Sequence, residues 1–303
     1  MLLLALACGS GDKQPNGRRA LSRVLVTPLS QEESHLPAQS STISATNANA
    51  VLAFEVFSAT VPESELNRLG LHALFESPPQ TLPSVKVALE TSSVLRLARS
   101  SSNATLEVPP SCTHVGRALG HQLSNLVAAL KGCSNATLTG PMKLMIRSGQ
   151  EGEVSSGAAK VVVMDVNVGS GAATFVTTNL NFGVTAKIAP LGPPEHNRIA
   201  LETIVRTEEF RGYQDPGKRV VTNAAGLTAV VPLPIFRVGT LAGRAHVAKN
   251  EALVLGGPIR TNVQHKIQSV PFLRDLPTFG RFFRRMRSQT NCERSLIIVR
   301  PAW

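Results

Sequence analysis

The run Gly212-Tyr-Gln-Asp-Pro-Gly217-Lys218-Arg219 comes nearest to reactive chemistry in this chain. A phosphate-binding loop needs glycines that let backbone N–H groups converge, a Lys for the phosphates, a Ser or Thr for magnesium, and a helix behind. Arg219 stands where the Ser or Thr belongs, and Val220-Val-Thr-Asn-Ala-Ala-Gly226 heads into a strand. An ordinary loop with Gly and Pro between strands explains the run better. His114 and His121 are seven apart and fall within one predicted helix, yet no carboxylate or cysteine joins them at metal-ligand spacing. The cysteines Cys8, Cys112, Cys133 and Cys292 form no CxxC pair, and neither HExxH nor GxSxG occurs. No nucleophile has a base beside it. The sequence therefore predicts neither catalysis nor a cofactor or metal.

The net charge of +11 points first to nucleic acid. Aromatic residues are only 4%, with one Trp and one Tyr, which leaves few platforms for stacked bases. The arginines also bunch late, at Arg281, Arg284, Arg285 and Arg287, beside a dense apolar motif. That bunch reads as a rim facing water or lipid headgroups, and nucleic acid is not an expected partner. Beyond the N-terminus no apolar run reaches the roughly 18 residues of a transmembrane helix. A membrane-spanning form of this chain has to be a closed barrel, since nothing else satisfies the backbone in lipid without helices.

The elements follow from apolar spacing. Hydrophobic residues at 43% and charged ones at 17% give a folded composition. Residues 1–8, Met-Leu-Leu-Leu-Ala-Leu-Ala-Cys8, read as a signal segment, and residues 9–50 as a flexible polar tether rich in Ser, Asn, Gln and Thr. The run before Cys8 resembles a bacterial lipoprotein signal, with Cys8 as the acylated residue; a plain secretory signal is the other reading. Val51–Phe57 has strand length and is closed by 61–65. Val85–Leu89 reads as a short strand with Ala104–Val108 as its hairpin partner. Val115, Leu119, Leu123, Leu126 and Leu130 recur at helical spacing and predict an amphipathic helix over 114–131, stopped at Gly132. Such a helix holds Cys112 and Cys133 about 27 Å apart, too far for a disulfide. From there on the pattern is β. Val176–Ile188 puts Val176, Thr178, Leu180, Phe182, Val184, Ala186 and Ile188 on one face and polar or small residues on the other. Further strands are predicted at Ile199–Thr207, Leu227–Val231, Ile235–Val247, Ala252–Leu255 and Leu296–Val299. Periodicity alone allows a barrel wall or a soluble sandwich.

Three ordered stretches resemble the secretin family, the outer-membrane pores of type II and III secretion, type IV pili and filamentous phage export. In Val270-Pro-Phe-Leu-Arg-Asp-Leu-Pro-Thr-Phe-Gly-Arg-Phe-Phe-Arg284, the residues Val270, Pro271, Leu273, Asp275, Pro277, Gly280 and Phe283 fall in the family's register. Arg274 stands where Gly is usual. Before it, Lys249-Asn-Glu-Ala-Leu-Val-Leu-Gly256-Gly257-Pro-Ile259 is similar to the family's strand ending in paired glycines. After it, Glu293-Arg-Ser-Leu-Ile-Ile-Val-Arg-Pro301 is similar to its closing strand. Upstream, Asn181–Pro190 and Ser148-Gly-Gln-Glu-Gly-Glu153 resemble a further strand and the segment that precedes the gate.

The resemblance implies an α+β, β-rich chain: a small N-terminal part over 51–140, then a multimeric β-barrel and gate region over 141–303. It implies a homo-oligomeric ring in the outer membrane of a diderm bacterium, with the N-terminus facing the periplasm. The implied partners are outer-membrane lipid, inner-membrane secretion machinery, and a secreted protein, pilus or phage as cargo. The alternative is a non-pore, soluble or surface-attached β protein that keeps a secretin-like core. The gate is expected between Glu153 and Phe182, with Gly157, Gly169 and Gly171 as hinge candidates and Val161–Val168 as a strand bending inward. An ordinary hairpin turn at Ser170-Gly171 is the plainer reading of that interval.

Overall fold

The computed structural model describes residues 26–29, 51–80, 82, 90, 92–100, 104–108, 111–169, 172–194, 196–214, 220–231, 233–269 and 284–302. The strands are β1 (Thr27–Pro28), β2 (Val51–Pro62), β3 (Thr105–Glu107), β4 (His114–Leu119), β5 (Thr137–Arg147), β6 (Gly152–Val168) and β7 (Ala173–Pro190). They continue with β8 (Arg198–Gln214), β9 (Val220–Thr222), β10 (Thr228–Val230), β11 (Leu233–Ala248), β12 (Glu251–Ser269) and β13 (Arg284–Pro301). Among the described residues four helices intervene: α1 (Glu63–Leu69), α2 (His72–Glu76), α3 (Ser93–Ser100) and α4 (Gly120–Gly132).

The described strands form two packed sheets and a separate two-stranded ribbon of β9 and β10. The first has the order β1-β4-β12-β13-β2-β5, so the last two strands insert between early ones. The second, β3-β11-β8-β7-β6, is built from the middle of the chain, apart from β3. The expected boundary at 140 falls inside β5, a strand of the first sheet. The chain leaves the first sheet at the corner Ser148–Glu151, where Gln150 N–H donates to Arg147 O. It returns at Lys249-Asn250, where Lys249 N–H donates to Asn197 O and Gly120 N–H to Asn250 O.

Burial follows the period of two that a half-buried strand requires. Between the sheets lie Leu52, Phe54, Ile188, Leu201, Val205, Leu241, Val247, Leu253, Leu255, Ile297 and Val299. On the far face of the first sheet, Val61, Val254 and Ile298 meet Leu66, Leu74, Leu123, Leu126 and Leu130 of the helices. On the far face of the second, Val94 and Ala98 of α3 cover Phe236, Val238, Val162, Met164 and Leu180. The layers thus run helix, sheet, sheet, helix.

Three expectations need correction. Within the expected tether of 9–50, Thr27–Pro28 is a strand paired with β4, and its apolar neighbours Val26 and Leu29 are buried. The segment 114–119 is strand β4, paired with β12 from His114↔Gly256 to Leu119↔Glu251, and the helix begins only at Gly120. The spacing of four between Val115 and Leu119 is even, so it suits a strand as well as a helix. Gly116 decides between them: a helix interior disfavours it, and here its missing side chain admits Leu74 and Val26. With α4 shortened, the separation argued for Cys112 and Cys133 no longer rests on one long helix. Both are free thiols, and Cys133 Sγ accepts a hydrogen bond from Arg68 Nη2 at 2.9 Å. The segment 104–108 contains β3, which pairs in parallel with β11 (Ile235↔Thr105), while 85–89 lies outside the described residues.

Candidate functional site

The hairpin β6–β7 pairs along its whole length, from Gly152↔Ile188 to Val168↔Ala173. Its attachment to the sheet is shorter. β7 pairs with β8 only from Gly183↔Glu208 to Pro190↔Leu201, so among the described strands residues 173–182 pair with β6 alone. The point of departure is a crossing of two glycines, Gly157 opposite Gly183. A Cβ on Gly157 would overlap the Phe182 carbonyl, and one on Gly183 would overlap that of Ser156. Gly183 also has φ +152, a region that side chains oppose. Below the crossing, Val154, Val184, Ala186 and Ile188 face the core between the sheets. Above it, residues of the same parity, Val162, Met164, Leu180 and Phe182, pack instead with Phe236 and α3 on the far face. The two glycines therefore let the hairpin fold back over its own sheet.

Of the three hinge candidates, Gly157 sits in this crossing. Gly169 sits at the hairpin end, where its N–H donates to Ala172 O and a Cβ would make an ordinary 3.5 Å contact. Gly171 lies outside the described residues. Gly183 was hidden in the polar face of a well-patterned strand. A glycine interrupting such a strand was its only signal. The folded-back half carries exposed apolar residues, with Val161 64% and Phe175 59% exposed. Phe182 stacks on Phe236 with centroids 5.9 Å apart and tilts on Phe210 at the same distance. Tyr213 meets Phe210 edge-on at 5.1 Å. Val163 N–H donates to Tyr213 Oη at 2.9 Å, and Lys160 Nζ lies 5.0 Å from the Phe210 centroid.

The paired glycines Gly256 and Gly257 project to opposite faces of β12. A Cβ on Gly256 would lie 2.5 Å from Phe75 Cε1, and one on Gly257 would lie 3.1 Å from Leu241 Cδ2. The register with β13 shifts here, from Gly256↔Leu296 to Ile259↔Arg294, which makes a bulge around Pro258. Beyond it, Thr261–Ser269 pairs with Arg284–Cys292 and with no other described strand. Val270, Pro271, Asp275, Pro277, Gly280 and Phe283 lie outside the described residues, and Cys8 lies outside them too.

Residues 129–302 match the family described as Secretin, bacterial type II and III secretion system protein. That is more than half of the chain. The chain belongs to the secretin family. Over 68 residues, 22% of this secretin and 10% of the relative, it is 32% identical to Secretin ExeD of Aeromonas salmonicida. It is similar to the type IV competence pilus secretin PilQ of V. cholerae, at 18% identity and TM-score 0.29, over 83% of this chain and 58% of that one. It is also similar to Aeromonas hydrophila ExeD, at 16% identity and TM-score 0.30, over 83% of this chain and 47% of that one. This secretin spans about half the length of those two structures.

Among the described residues of the secretin chain, one arginine is buried between the two sheets. Arg260, 8% exposed, donates from Nη1 to Glu209 Oε1 and from Nη2 to Thr207 Oγ1, both at 2.8 Å. It joins β12 of the first sheet to β8 of the second and borders a polar cavity with Arg237, Glu293 and Asn135. On the other face of the first sheet, His114 Nδ1–H donates to Ser77 O at 2.8 Å beside the Phe75 ring. Burial pushes the imidazole below its ordinary range, the Ser77 bond raises it and Arg294 lowers it. His121 is exposed at the start of α4, so the two histidines share no helix face. Among the described residues no cluster fit for a metal occurs. After Gln214, the end of β8, the next described element is strand β9, and 215–219 lie outside the described residues.

Proposed function

We propose that this chain is one subunit of a ring-shaped, non-enzymatic channel in the outer membrane of a diderm bacterium, with the β6–β7 hairpin as its gate. The observation that carries this reading is the hairpin itself, which parts from β8 at the Gly157/Gly183 crossing and folds back. Open edges support the ring. Among the described strands β5 pairs only with β2, β6 only with β7, and the ribbon 261–269/284–292 only with itself. Edges of that length invite pairing with further strands, and copies arranged in a ring remove them. Each ribbon strand has nine paired residues, close to the ~9–11 that a barrel strand needs to cross a bilayer. The first sheet then forms the outer wall, carrying the ribbon into the membrane. The second forms an inner wall, and its folded-back hairpins meet across the channel. Secreted protein, pilus or phage is the cargo, inner-membrane secretion machinery supplies it, and an acylated Cys8 at a periplasm-facing N-terminus adds a lipid anchor.

Deleting 158–182 tests the gate. Electron microscopy of detergent extracts should still show rings, and cells should admit a large antibiotic that the outer membrane normally excludes. Monodisperse monomer in place of rings for the intact chain sinks the channel reading. Rings whose permeability is unchanged by the deletion sink the gate. Mass spectrometry of the mature N-terminus tests the acylation separately.

A further inference from the structure

The chain has 11 Phe and one Tyr among its 303 residues. Three of those Phe and the only Tyr meet at one place, where the folded-back hairpin rests on β8 and β11. Above Gly183 the hairpin has lost the β8 ladder, so backbone pairing to its own sheet no longer holds it. The contacts that remain involve side chains of β8, β11 and α3, and the polar and cation–ring ones fall on Phe210 and Tyr213 of β8. Phe210 forms a triangle with Phe182 of the hairpin and Phe236 of β11, whose centroids lie 5.9 and 6.0 Å from its own and 5.9 Å from each other. Its ring also takes Lys160 of the hairpin at 5.0 Å and Tyr213 edge-on. The Tyr213 hydroxyl accepts the N–H of Val163, at the point where the β6–β7 register shifts between Val163 and Asp165. A bulge frees backbone groups that then need an outside partner.

We propose that Phe210 and Tyr213 form a latch that holds the gate hairpin against the inner wall, with Lys160 and Phe182 as its counterparts on the hairpin. This rests on the reading of β6–β7 as the gate. These are positioning residues. Their contacts to Phe182, Lys160 and Val163 belong to the folded-back state, so weakening them shifts the closed–open balance without altering the width of the open pore. The parts differ in kind. Rings in offset or edge contact attract through their quadrupoles, the ammonium is drawn to the Phe210 face, and the Tyr213 oxygen satisfies a strand N–H.

The test is single-channel recording from the purified full-length oligomer in planar bilayers, with ring yield measured beside it. Phe210→Leu and Tyr213→Phe should each raise the open fraction about tenfold, the change expected from losing one ring contact or one hydrogen bond. The conductance of the open state should stay at the wild-type value. Lys160→Gln should open the pore more often, whereas Lys160→Arg, which keeps the cation over the ring, should not. Tyr213→Phe removes one exposed hydroxyl, so it reports even where Phe210→Leu fails to assemble. Deletion of 158–182 separates the two readings. An open pore after deletion, with wild-type gating in Phe210→Leu and Tyr213→Phe, overturns the latch alone. Wild-type gating after the deletion overturns the gate, and the latch with it.

Discussion

Replacing Gly183 with Val perturbs the crossing at its tightest point. Glycine tolerates φ +152, whereas a side chain there costs about 1–3 kcal/mol. The added Cβ would also lie 2.5 Å from Gly157 Cα and would overlap the Ser156 carbonyl. Backbone cannot retreat as the far end of a flexible side chain can, so the penalty falls on the crossed conformation of the two strands and is relieved when that crossing straightens. A shift of about 1–3 kcal/mol multiplies the open population about 5- to 150-fold. Expression at wild-type ring yield with raised uptake of a large antibiotic is the expected result. Gly157→Ala should act in the same direction, since its Cβ would overlap Phe182 O, and it serves where Gly183→Val reduces assembly. Gly169→Ala is the control. Its Cβ meets only Ala172 O at 3.5 Å, so exclusion should be unchanged. Full rings with wild-type exclusion in both Gly183→Val and Gly157→Ala would refute the reasoning, because the crossing would then tolerate side chains that the geometry forbids.

Three further outcomes follow from the packing. Gly256→Ala should destabilise the fold by about 1–3 kcal/mol through overpacking against Phe75, and adding Phe75→Leu should recover part of it in thermal denaturation. Arg260→Ala should cost about 1.5–3 kcal/mol by removing two hydrogen bonds to Glu209 and Thr207. Glu209→Gln, which leaves a neutral acceptor at a more exposed position, should cost less in the same denaturation series. For His114, the folded imidazole lies below its ordinary 6.5 and the unfolded one does not. The unfolded state then binds the extra proton first, so the residue's stabilisation is complete above about pH 7 and drains away as pH falls through 6.5. Melting temperatures between pH 8 and 5 should fall more steeply for the wild type than for His114→Gln, and equal slopes would count against it. The groups facing this imidazole are Ser77 O, the Phe75 ring and Arg294, which pairs with Glu63 at 3.4 Å.

Much of the strand pattern was legible because a strand buried on one face writes its period into the residues. Ile199–Thr207 and Ile235–Val247 lie inside β8 and β11, and Val176–Ile188 inside β7. The pattern failed where a local rule had two solutions. Val115 and Leu119 satisfy a helix and a strand together, and only the pairing with β12 separates the two. It also misjudged the outer half of β7. Val176 belongs to the face expected to be dry, yet it is exposed, because above Gly183 the hairpin no longer continues the sheet. The segment Ser148–Glu153, noticed for its resemblance, contains the corner at which the chain changes sheets. Its glycines serve geometry there rather than chemistry.

Gly183 shows why the hinge itself was hard to find in the sequence. One glycine in an alternating strand marks a bulge, a bend or a weak spot, and the residues beside it do not say which. Its meaning comes from Gly157, 26 positions earlier, and only through the register that places the two opposite each other. That register is set in turn by apolar residues further down the hairpin. Val154 and Ala186 are directly paired, and both belong to the core between the sheets. Sliding either strand by one residue would turn that face outward and would also separate the two glycines. Core packing therefore fixes where the hairpin bends, although none of the core residues lies in the crossing. A substitution that loosens the register, such as Ala186→Asp, should for this reason disturb the proposed gate from a distance. It should also lower ring yield, which Gly183→Val is expected to spare, and this difference separates a broken wall from a displaced gate.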